Sequence, residues 1–185
     1  MYGIDITEAF IEIGNYFNKL THIDHQVTLL KGDGENLPYQ TEFFDGAVSQ
    51  HVTMNIENRE QFFNEAFRVL KKGAIFGFSE HGLGTKGSPI FPLPWADNED
   101  MSFLKTPEYT KSLLKKIGFK NIKIISTGEK YISGYNSLLK KGQSNEMPTL
   151  GIHVIGGDSM LERSKNSMRS IIENRTYPFE IICNR

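Results

Sequence analysis

Apolar residues along this chain alternate between the two-residue period of strands and the three- to four-residue period of helices. A short apolar run at 2–6 precedes Thr7, after which Phe10, Ile13, Phe17 and Leu20 recur at helical spacing, predicting a strand and a capped helix. Further strands are predicted at 26–31, 43–50, 74–79, 120–126 and 177–183, and further helices at 58–71, 106–118, 129–141 and 158–175. This alternation predicts an α/β protein with a mostly parallel sheet and helices on both faces.

Local signals mark the ends of these elements. Asn58 and Gln61 predict a capping box, and Gly73 is expected to end the helix that they begin. Three prolines predict an irregular stretch at 80–105, of which 82–105 is expected to form a lid over the ligand cleft. Residues 142–149 are polar and predict a linker to a last helix, capped by Asp158, and a last strand.

Composition narrows the class of protein. The 185 residues fit a single domain, 1–185, and a net charge of −1 gives no reason to expect a nucleic-acid partner or an anionic membrane. The only cysteine, Cys183, excludes an internal disulfide, and the sequence shows no metal-binding cluster. Without a membrane span or a signal pattern, a cytoplasmic enzyme is the expectation.

Polar residues follow three of the predicted strands. In open α/β sheets ligands bind beyond the carboxyl ends of the strands, so Asp5, Asp33, Gln50 and His51 are candidate site residues. Alternatives stay open: Asp5 and Asp33 also suit ordinary turns, and His51 also suits a structural role.

The segment Gly82–Gly87 matches the glycine fingerprint of dinucleotide-binding folds but is rejected as a cofactor loop. The fingerprint requires that its third glycine open a helix facing the phosphates. The proline-rich residues 88–94 follow instead and do not form a helix. A mobile loop is predicted.

Taken together, five segments resemble class I S-adenosylmethionine-dependent methyltransferases, and among them the sarcosine/dimethylglycine N-methyltransferase group of glycine betaine synthesis. The likeness covers about residues 2–125. Its segments are YGIDIT, KGDGENLPYQTEFFDGAVSQHVTMNI, EAFRVLKKGAIFGF, FPLPWADNEDMSFL and LLKKIGF. QHVTMNI and FPLPWADNEDMSFL narrow the likeness to that group. The resemblance implies a Rossmann-like methyltransferase fold, S-adenosylmethionine as cofactor and a small-molecule substrate.

The resemblance also implies which residues hold the cofactor. Asp5 would bind the ribose hydroxyls, with Ile6 next to it. Asp33 would accept from the adenine amino group, with Gly34 beside it, and Gln50 would lie near the methionine end.

On the substrate side, the resemblance implies His51, Met54, Pro94 and Trp95. A Trp face attracts a methylated ammonium group, although Trp95 would equally serve as a plug that holds the lid down. His51 is the candidate for a catalytic base, because an amine acceptor must lose its proton before it attacks the sulfonium methyl group.

One part of the family pattern has no counterpart. The superfamily's first strand and its glycine-rich loop would precede Asp5 by about 20 residues, whereas four residues stand there. The missing strand would lie at the centre of the sheet, between the strand holding Asp5 and the strand ending at Gln50. Its absence predicts that these two strands close up, that another chain supplies a strand, or that the polypeptide is a fragment, which is favoured. Assembly of several copies of this chain into a homo-oligomer is a further alternative.

Three functions follow from these patterns. The first is methyl transfer to the amine of sarcosine or dimethylglycine. The second is methyl transfer to a phenol, a quinone or another small acceptor. The third is a non-catalytic domain that binds a partner chain.

Overall fold

The computed structural model of the chain describes residues 1–144, 149 and 157–185. Its first part is a two-stranded parallel sheet of β1 (Tyr2–Asp5) and β2 (Thr28–Lys31), joined by helix α1 (Glu8–Leu20). Because the strands are parallel, the carboxyl ends of β1 and β2 lie at the same edge, where Asp5 is in register with Lys31.

A second, four-stranded sheet contains the remaining strands. The later elements are β3 (Phe44–Gln50), α2 (Arg59–Val69), β4 (Leu70–Leu83), α3 (Pro107–Ile117), β5 (Lys120–Ser126), α4 (Gly128–Gln143), α5 (Met160–Ile172) and β6 (Thr176–Asn184), with 3₁₀ turns at Thr53–Asn55, Glu99–Met101 and Gly157–Ser159. The strand order is β3-β4-β6-β5. β3 and β4 are parallel, whereas β6 runs antiparallel to both β4 and β5. The predicted α/β class is confirmed, with a mixed second sheet.

One face of the four-stranded sheet carries the hydrophobic core. Phe63 of α2 and Leu114 of α3 pack against Phe76, Phe179 and Ile181, and all five side chains are at most 2% exposed. Burying such a side chain contributes about 1.5–3 kcal/mol relative to leaving it exposed. This core fixes the position of β4 and β6, and therefore of the residues at their ends.

The opposite face of this sheet is covered at one end only. Near the carboxyl end of β4, the side chain of His81 is buried under residues of α4 and of the proline-rich segment. Towards the other end, Val48, Ile75 and Ile182 are 82%, 56% and 45% exposed. Helices therefore lie on both faces, but the second face is covered at one end only, and the described residues leave an apolar part of it open to solvent.

The caps of two helices explain where they begin. Asn58 Oδ1 accepts from the Gln61 N–H at 3.3 Å at the start of α2, but the Gln61 side chain donates to the carbonyl of Glu35, so the predicted capping box is only half formed. Thr106 Oγ1 accepts from the Tyr109 N–H at 3.2 Å, and Pro107 occupies the first position of α3. Thr7 occupies the N-cap of α1 without a side-chain capping bond.

The boundary between α2 and β4 corrects the sequence prediction. The helix ends at Val69, and β4 begins directly at Leu70, so Gly73 lies inside a strand with φ of 80° instead of ending a helix. β4 also continues to Leu83, beyond the predicted end at Ser79, because β6 pairs with it as far as Thr176 opposite Leu83. Residues 82 and 83 therefore belong to β4 and not to the lid.

The two sheets are separate. β1 pairs with β2 and β3 pairs with β4, and no described residue pairs with the other edge of β1 or of β3. The strands that were expected to flank a missing strand have therefore not closed up. The apolar residues that predicted α1 point mostly to solvent, with Phe10, Ile13, Phe17 and Leu20 each 53–57% exposed.

The last helix is shorter than predicted. A 3₁₀ turn at Gly157–Ser159 precedes α5, whose N-cap is Ser159 instead of Asp158, and the helix ends at Ile172. Residues 142 and 143 of the predicted linker belong to α4, and most of the rest of 142–149 lies outside the described residues. No helix in the described part of the chain has the length and apolar character needed to cross a membrane.

Candidate functional site

Two carboxylates lie at the carboxyl ends of the paired strands β1 and β2. Asp5 ends β1, and its Oδ1 accepts from the Thr7 N–H at 2.7 Å. Asp33 follows β2 by two residues, and its Oδ1 accepts from the Glu35 N–H at 2.8 Å. Each carboxylate thus stabilises its own turn with one oxygen, while its Oδ2 has no hydrogen bond to the described residues.

Ile6 and Gly34, which directly follow Asp5 and Asp33 in the chain, differ in their surroundings. The side chain of Ile6 is 70% exposed beside Asp5, so it presents an apolar surface to a ligand. Gly34 packs against the ring of Phe62, where an added Cβ would stand only 2.8 Å from a ring carbon. A glycine is therefore required for this close approach, whether or not a ligand binds.

The loop after β2 connects this edge to the second sheet. The side chain of Gln61 donates to the carbonyl of Glu35 at 3.0 Å, and the Leu37 N–H donates to Glu65 Oε2 at 2.8 Å. Both partners lie on α2, which begins nine residues after the end of β3. The loop that carries Asp33 is therefore held against α2.

Gln50 and His51 stand where β3 ends. Gln50 is exposed and in register with Ser79 of β4. His51 has φ of 54°, in the left-handed region that residues other than glycine seldom adopt, and its N–H donates to the carbonyl of Ser79 at 2.9 Å. Strained backbone of this kind concentrates at functional sites, and its occurrence here supports a functional role for His51.

Four aromatic side chains from four segments converge beside β3 and β4. His51 Nε2 shares a hydrogen bond of 2.7 Å with the hydroxyl of Tyr131, on α4. The His81 ring lies 5.7 Å from the His51 ring, 4.8 Å from the Tyr131 ring and 4.6 Å from Trp95, measured between centroids. We call these four residues the aromatic cluster.

Burial keeps the titratable members of the aromatic cluster neutral. Burial, and to a smaller extent the neighbouring His51, lower the pKa of His81 to about 3. Desolvation lowers the pKa of His51 below its usual range, although that side chain remains accessible to solvent. Burial raises the pKa of Tyr131 to about 12. Near pH 7 the cluster therefore offers uncharged imidazoles and an intact phenol.

The predicted substrate-side residues lie around this cluster. Trp95 and Pro94 are partly buried, and the Trp95 Nε1–H donates to Ser102 Oγ at 3.0 Å. Met54 is only 3% exposed, and its carbonyl accepts from the Phe103 N–H at 2.8 Å, which joins the 3₁₀ turn after β3 to the lid. Met54 thus lies beneath the lid instead of on an open surface.

The glycine-containing segment predicted as a mobile loop is held by hydrogen bonds. Gly82 belongs to β4, and the N–H groups of Gly84 and Lys86 donate to the carbonyls of Arg175 and Asn174 at 2.8 and 3.0 Å. A Cβ on Gly84 would lie 2.1 Å from the Asn174 oxygen, so this contact requires glycine. The segment packs against the start of β6 and does not open a helix.

A buried ion pair supports the cluster from the core side. Arg59 Nη1 lies 2.8 Å from Glu80 Oε2, and both side chains are at most 2% exposed. Glu80 also accepts hydrogen bonds from Thr53 and Thr110, and Arg59 Nη2 donates to the carbonyl of Phe103 at 3.1 Å. Burial raises the pKa of Glu80, against the lowering effect of Arg59. The network ties the turn after β3, the lid and α3 to β4.

Sequence reasoning did not find His81, Tyr131, Arg59 or Glu80. A strand extended past Ser79 would have placed His81 on the face of β4 opposite Phe76 and Phe78. Nothing in the sequence indicated which face of α4 carries Tyr131 towards β3. Among the described residues, no group of three or more His, Cys, Asp or Glu side chains could hold a metal ion.

The chain is similar in sequence to known methyltransferases. Residues 1–78 match the family described as "Methyltransferase domain". The chain is 29% identical over 160 residues to 2-methyl-6-phytyl-1,4-hydroquinone methyltransferase 1 of Oryza sativa subsp. japonica, covering 84% of this chain and 44% of that protein. It is 26% identical over 120 residues to the sarcosine/dimethylglycine N-methyltransferase of Halorhodospira halochloris, covering 65% of this chain and 43% of that protein. The chain thus spans less than half the length of these relatives.

A solved structure shares the fold of the whole chain. The phosphoethanolamine N-methyltransferase 2 of Haemonchus contortus, in complex with phosphomonomethylethanolamine and S-adenosylhomocysteine, superposes with a TM-score of 0.82 at 16% identity. The match covers 100% of this chain and 43% of that chain. The chain has the Rossmann-like fold of such methyltransferases.

Proposed function

We propose that this chain is a methyltransferase that depends on S-adenosylmethionine and transfers the methyl group to the amine of a small molecule, sarcosine or dimethylglycine. The observation that carries the proposal is the convergence of the aromatic cluster at the ends of β3 and β4, next to Gln50. The match of residues 1–78 to a methyltransferase domain supports the cofactor.

The residues at the carboxyl ends of β1 and β2 fit the nucleoside part of the cofactor. Asp5 and Asp33 each have a carboxylate oxygen without a bond to described residues, which suits the hydroxyl and amino donors of a nucleoside. The exposed Ile6 offers apolar surface to a planar base. When bound, S-adenosylmethionine supplies an electrophilic methyl group on a sulfonium centre.

The aromatic cluster fits an amine acceptor. An amine attacks only as its free base, and the lowered pKa of His51 keeps an imidazole ready to take the proton near pH 7. His51 Nε2 shares its hydrogen bond with Tyr131, so we assign the proton-accepting role to Nδ1, which has no described hydrogen bond, with Nε2–H donating to the Tyr131 oxygen. The Trp95 face would attract the methylated ammonium product. Positioning and exclusion of water would supply most of the acceleration.

A second candidate function is methyl transfer to a hydroquinone. It is favoured by the longer match, over 84% of this chain, to the hydroquinone methyltransferase of rice. A phenolic acceptor also requires a base, so His51 would serve both reactions, whereas the charge attraction of Trp95 would serve the amine alone.

An acceptor panel tests the proposal. The chain is incubated with methyl-labelled S-adenosylmethionine and sarcosine, dimethylglycine or a methylated hydroquinone, and the labelled product is identified by mass spectrometry. We expect slow transfer to the amines, lowered about 10²-fold by His51→Asn, because a general base typically contributes that much. His25→Asn, an exposed histidine before β2, is the matched control and should be unaffected. Labelled hydroquinone alone would favour the second function, and no labelled product would favour a non-catalytic domain.

A further inference from the structure

The lid is fastened to helix α5 by side-chain donors of that helix. Arg163 Nη1 donates to the carbonyl of Leu93 at 2.7 Å, and Arg163 Nη2 donates to the carboxylate of Asp97, with which it forms an ion pair. One turn further along the helix, the Asn166 side chain donates to the carbonyl of Pro92 at 3.1 Å. The lid residues before and after Trp95 are therefore both bound to Arg163.

Arg163 is itself fixed in place. Its Nε donates to Ser159 Oγ at 3.0 Å, one turn earlier in the chain, and its side chain is only 20% exposed. A guanidinium group is planar and carries several donors in a rigid fork, so it holds two acceptors at a set separation. Neither lysine nor an apolar side chain of similar length does so.

The short segment held by Arg163 carries Trp95 to its place over His81. The Leu93 and Ala96 backbones pair with each other across the turn, and Leu93 and Ala96 are at most 2% exposed. The Trp95 ring lies against the His81 ring, with centroids 4.6 Å apart and a tilt of 33° between the ring planes. The Trp95 Nε1–H also donates to Ser102 Oγ. The indole is thus held by that bond and by a clamp of three parts, which are Arg163, Leu93 and Asp97.

We infer that Arg163 is a positioning residue that sets Trp95 as a wall of the acceptor site and thereby determines the affinity for the methyl acceptor. This inference rests on the proposed function. Arg163 contacts neither the aromatic cluster nor the edge of Asp5 and Asp33, so its effect on the acceptor passes through Trp95, and cofactor binding does not depend on it.

The single tryptophan of the chain makes the clamp measurable without turnover, because all indole fluorescence comes from Trp95. In Arg163→Met the lid loses both bonds, and we expect acrylamide to quench Trp95 at least about twofold more efficiently than in the wild type. The acceptor enters the site as an ammonium ion, before His51 takes its proton. Loss of one aromatic contact with that cation should therefore raise the KM for the acceptor about tenfold, with kcat and cofactor affinity changed less than twofold. Arg163→Lys, which restores one donor, should recover part of both effects.

Arg169→Met on the same helix is the matched control. Arg169 is exposed and, among the described residues, its side chain binds Glu173 alone, so its removal should leave quenching and KM unchanged. Asp97→Asn, at a side chain that is 60% exposed, weakens the clamp without removing the partly buried arginine, and should raise quenching even if Arg163→Met fails to fold.

The inference is overturned if Arg163→Met and Asp97→Asn match Arg169→Met in quenching. It is also overturned if quenching rises while the KM for the acceptor stays constant or the cofactor affinity falls equally. Failure of the proposed function is a separate result. A wild type that methylates no acceptor refutes that function, whereas the quenching of the variants still decides whether Arg163 holds Trp95.

Discussion

Burial determines the protonation state of the side chains in the aromatic cluster more than pairing with charged groups does. His81 is 2% exposed, its Nδ1 has no hydrogen-bond partner among the described residues, and its pKa falls to about 3. A smaller lowering of the pKa of His81 comes from the electrostatic effect of the neighbouring His51. A neutral imidazole is therefore built into the fold, and protonating it must cost stability.

This cost predicts how stability depends on pH. Because the folded pKa of about 3 lies below the value of 6.5 for an unfolded chain, the unfolded state binds the proton first. The contribution of His81 is complete above pH 6.5 and is lost as the pH falls towards 3. Between pH 7 and pH 5 the wild type should lose about 2 kcal/mol more than His81→Phe, which keeps an aromatic ring against Trp95. Urea unfolding at both pH values measures this difference, and equal losses in the two proteins would show that His81 is not buried as described.

Residues at strand ends were predictable, and residues brought in by packing were not. Asp5, Asp33 and Gln50 stand at or just after apolar runs that identify strands, so their positions at the carboxyl ends of β1, β2 and β3 could be predicted from sequence. His81 lies in a part of β4 that β6 extends by pairing, and the strand could not be recognised before that pairing was known. Tyr131 reaches His51 only because α4 packs with a particular face towards β4 and β6.

Among the elements, β4 is joined to the turn after β3, to α2 and to α3 by the network around Arg59 and Glu80. Its contacts between side chains are buried and include the ion pair of 2.8 Å, and a part-buried bond joins Arg59 to the carbonyl of Phe103. The network therefore connects the core to the base of the lid, next to the buried Met54.

Removal of one partner of this ion pair should be costly. Arg59→Met or Glu80→Gln should each lower the free energy of unfolding by about 3–5 kcal/mol, because the remaining group stays buried without its partner. The double variant should cost less than the sum of the two. Lys116→Gln, at an exposed pair with Glu60, is the control and should cost no more than about 1 kcal/mol. Denaturant unfolding gives all four values, and additive single effects would mean that the two side chains are not coupled.

Element types were more predictable than element boundaries. The signals at Thr106 and Pro107 and at Gly118 predicted α3 closely, because cap and turn chemistry is local. The start of β4 was misplaced because Leu70 to Lys72 continue the helical pattern of α2. The pairing of β3 with β4, which joins Phe44 to Leu70, then overrides that local preference for helix.

On the scale of the whole molecule, the chain divides into two sheets whose facing edges have no described partner strand. The β1–β2 sheet carries Asp5 and Asp33, and the four-stranded sheet carries Gln50 and the aromatic cluster. Aromatic contacts between Tyr2 and Phe44, with centroids 5.8 Å apart, connect the two sheets near the start of β1 and β3. The resemblance predicted where the strands separate.

The separation of the two sheets has its main consequence for the binding of the cofactor. In the proposed function Asp5 and Asp33 supply carboxylates to the nucleoside half, whereas the described residues offer no glycine-rich loop at the edges of β1 and β3 for the methionine half. We therefore expect the 185-residue chain to bind S-adenosylmethionine weakly, with a Kd of the order of 0.1–1 mM.

Calorimetric titration of S-adenosylhomocysteine into the chain and three variants tests the cofactor site most directly. Asp5→Ala and Asp33→Ala should each raise the Kd about tenfold or more, since each removes a charge-assisted hydrogen bond. Asp45→Ala is the control, because Asp45 is exposed at the other end of β3 and pairs with Lys71. A Kd in the expected range that rises in the first two variants and not in the third would place the cofactor at the ends of β1 and β2. A low-micromolar Kd, or a Kd that Asp5→Ala and Asp33→Ala leave unchanged, would contradict it.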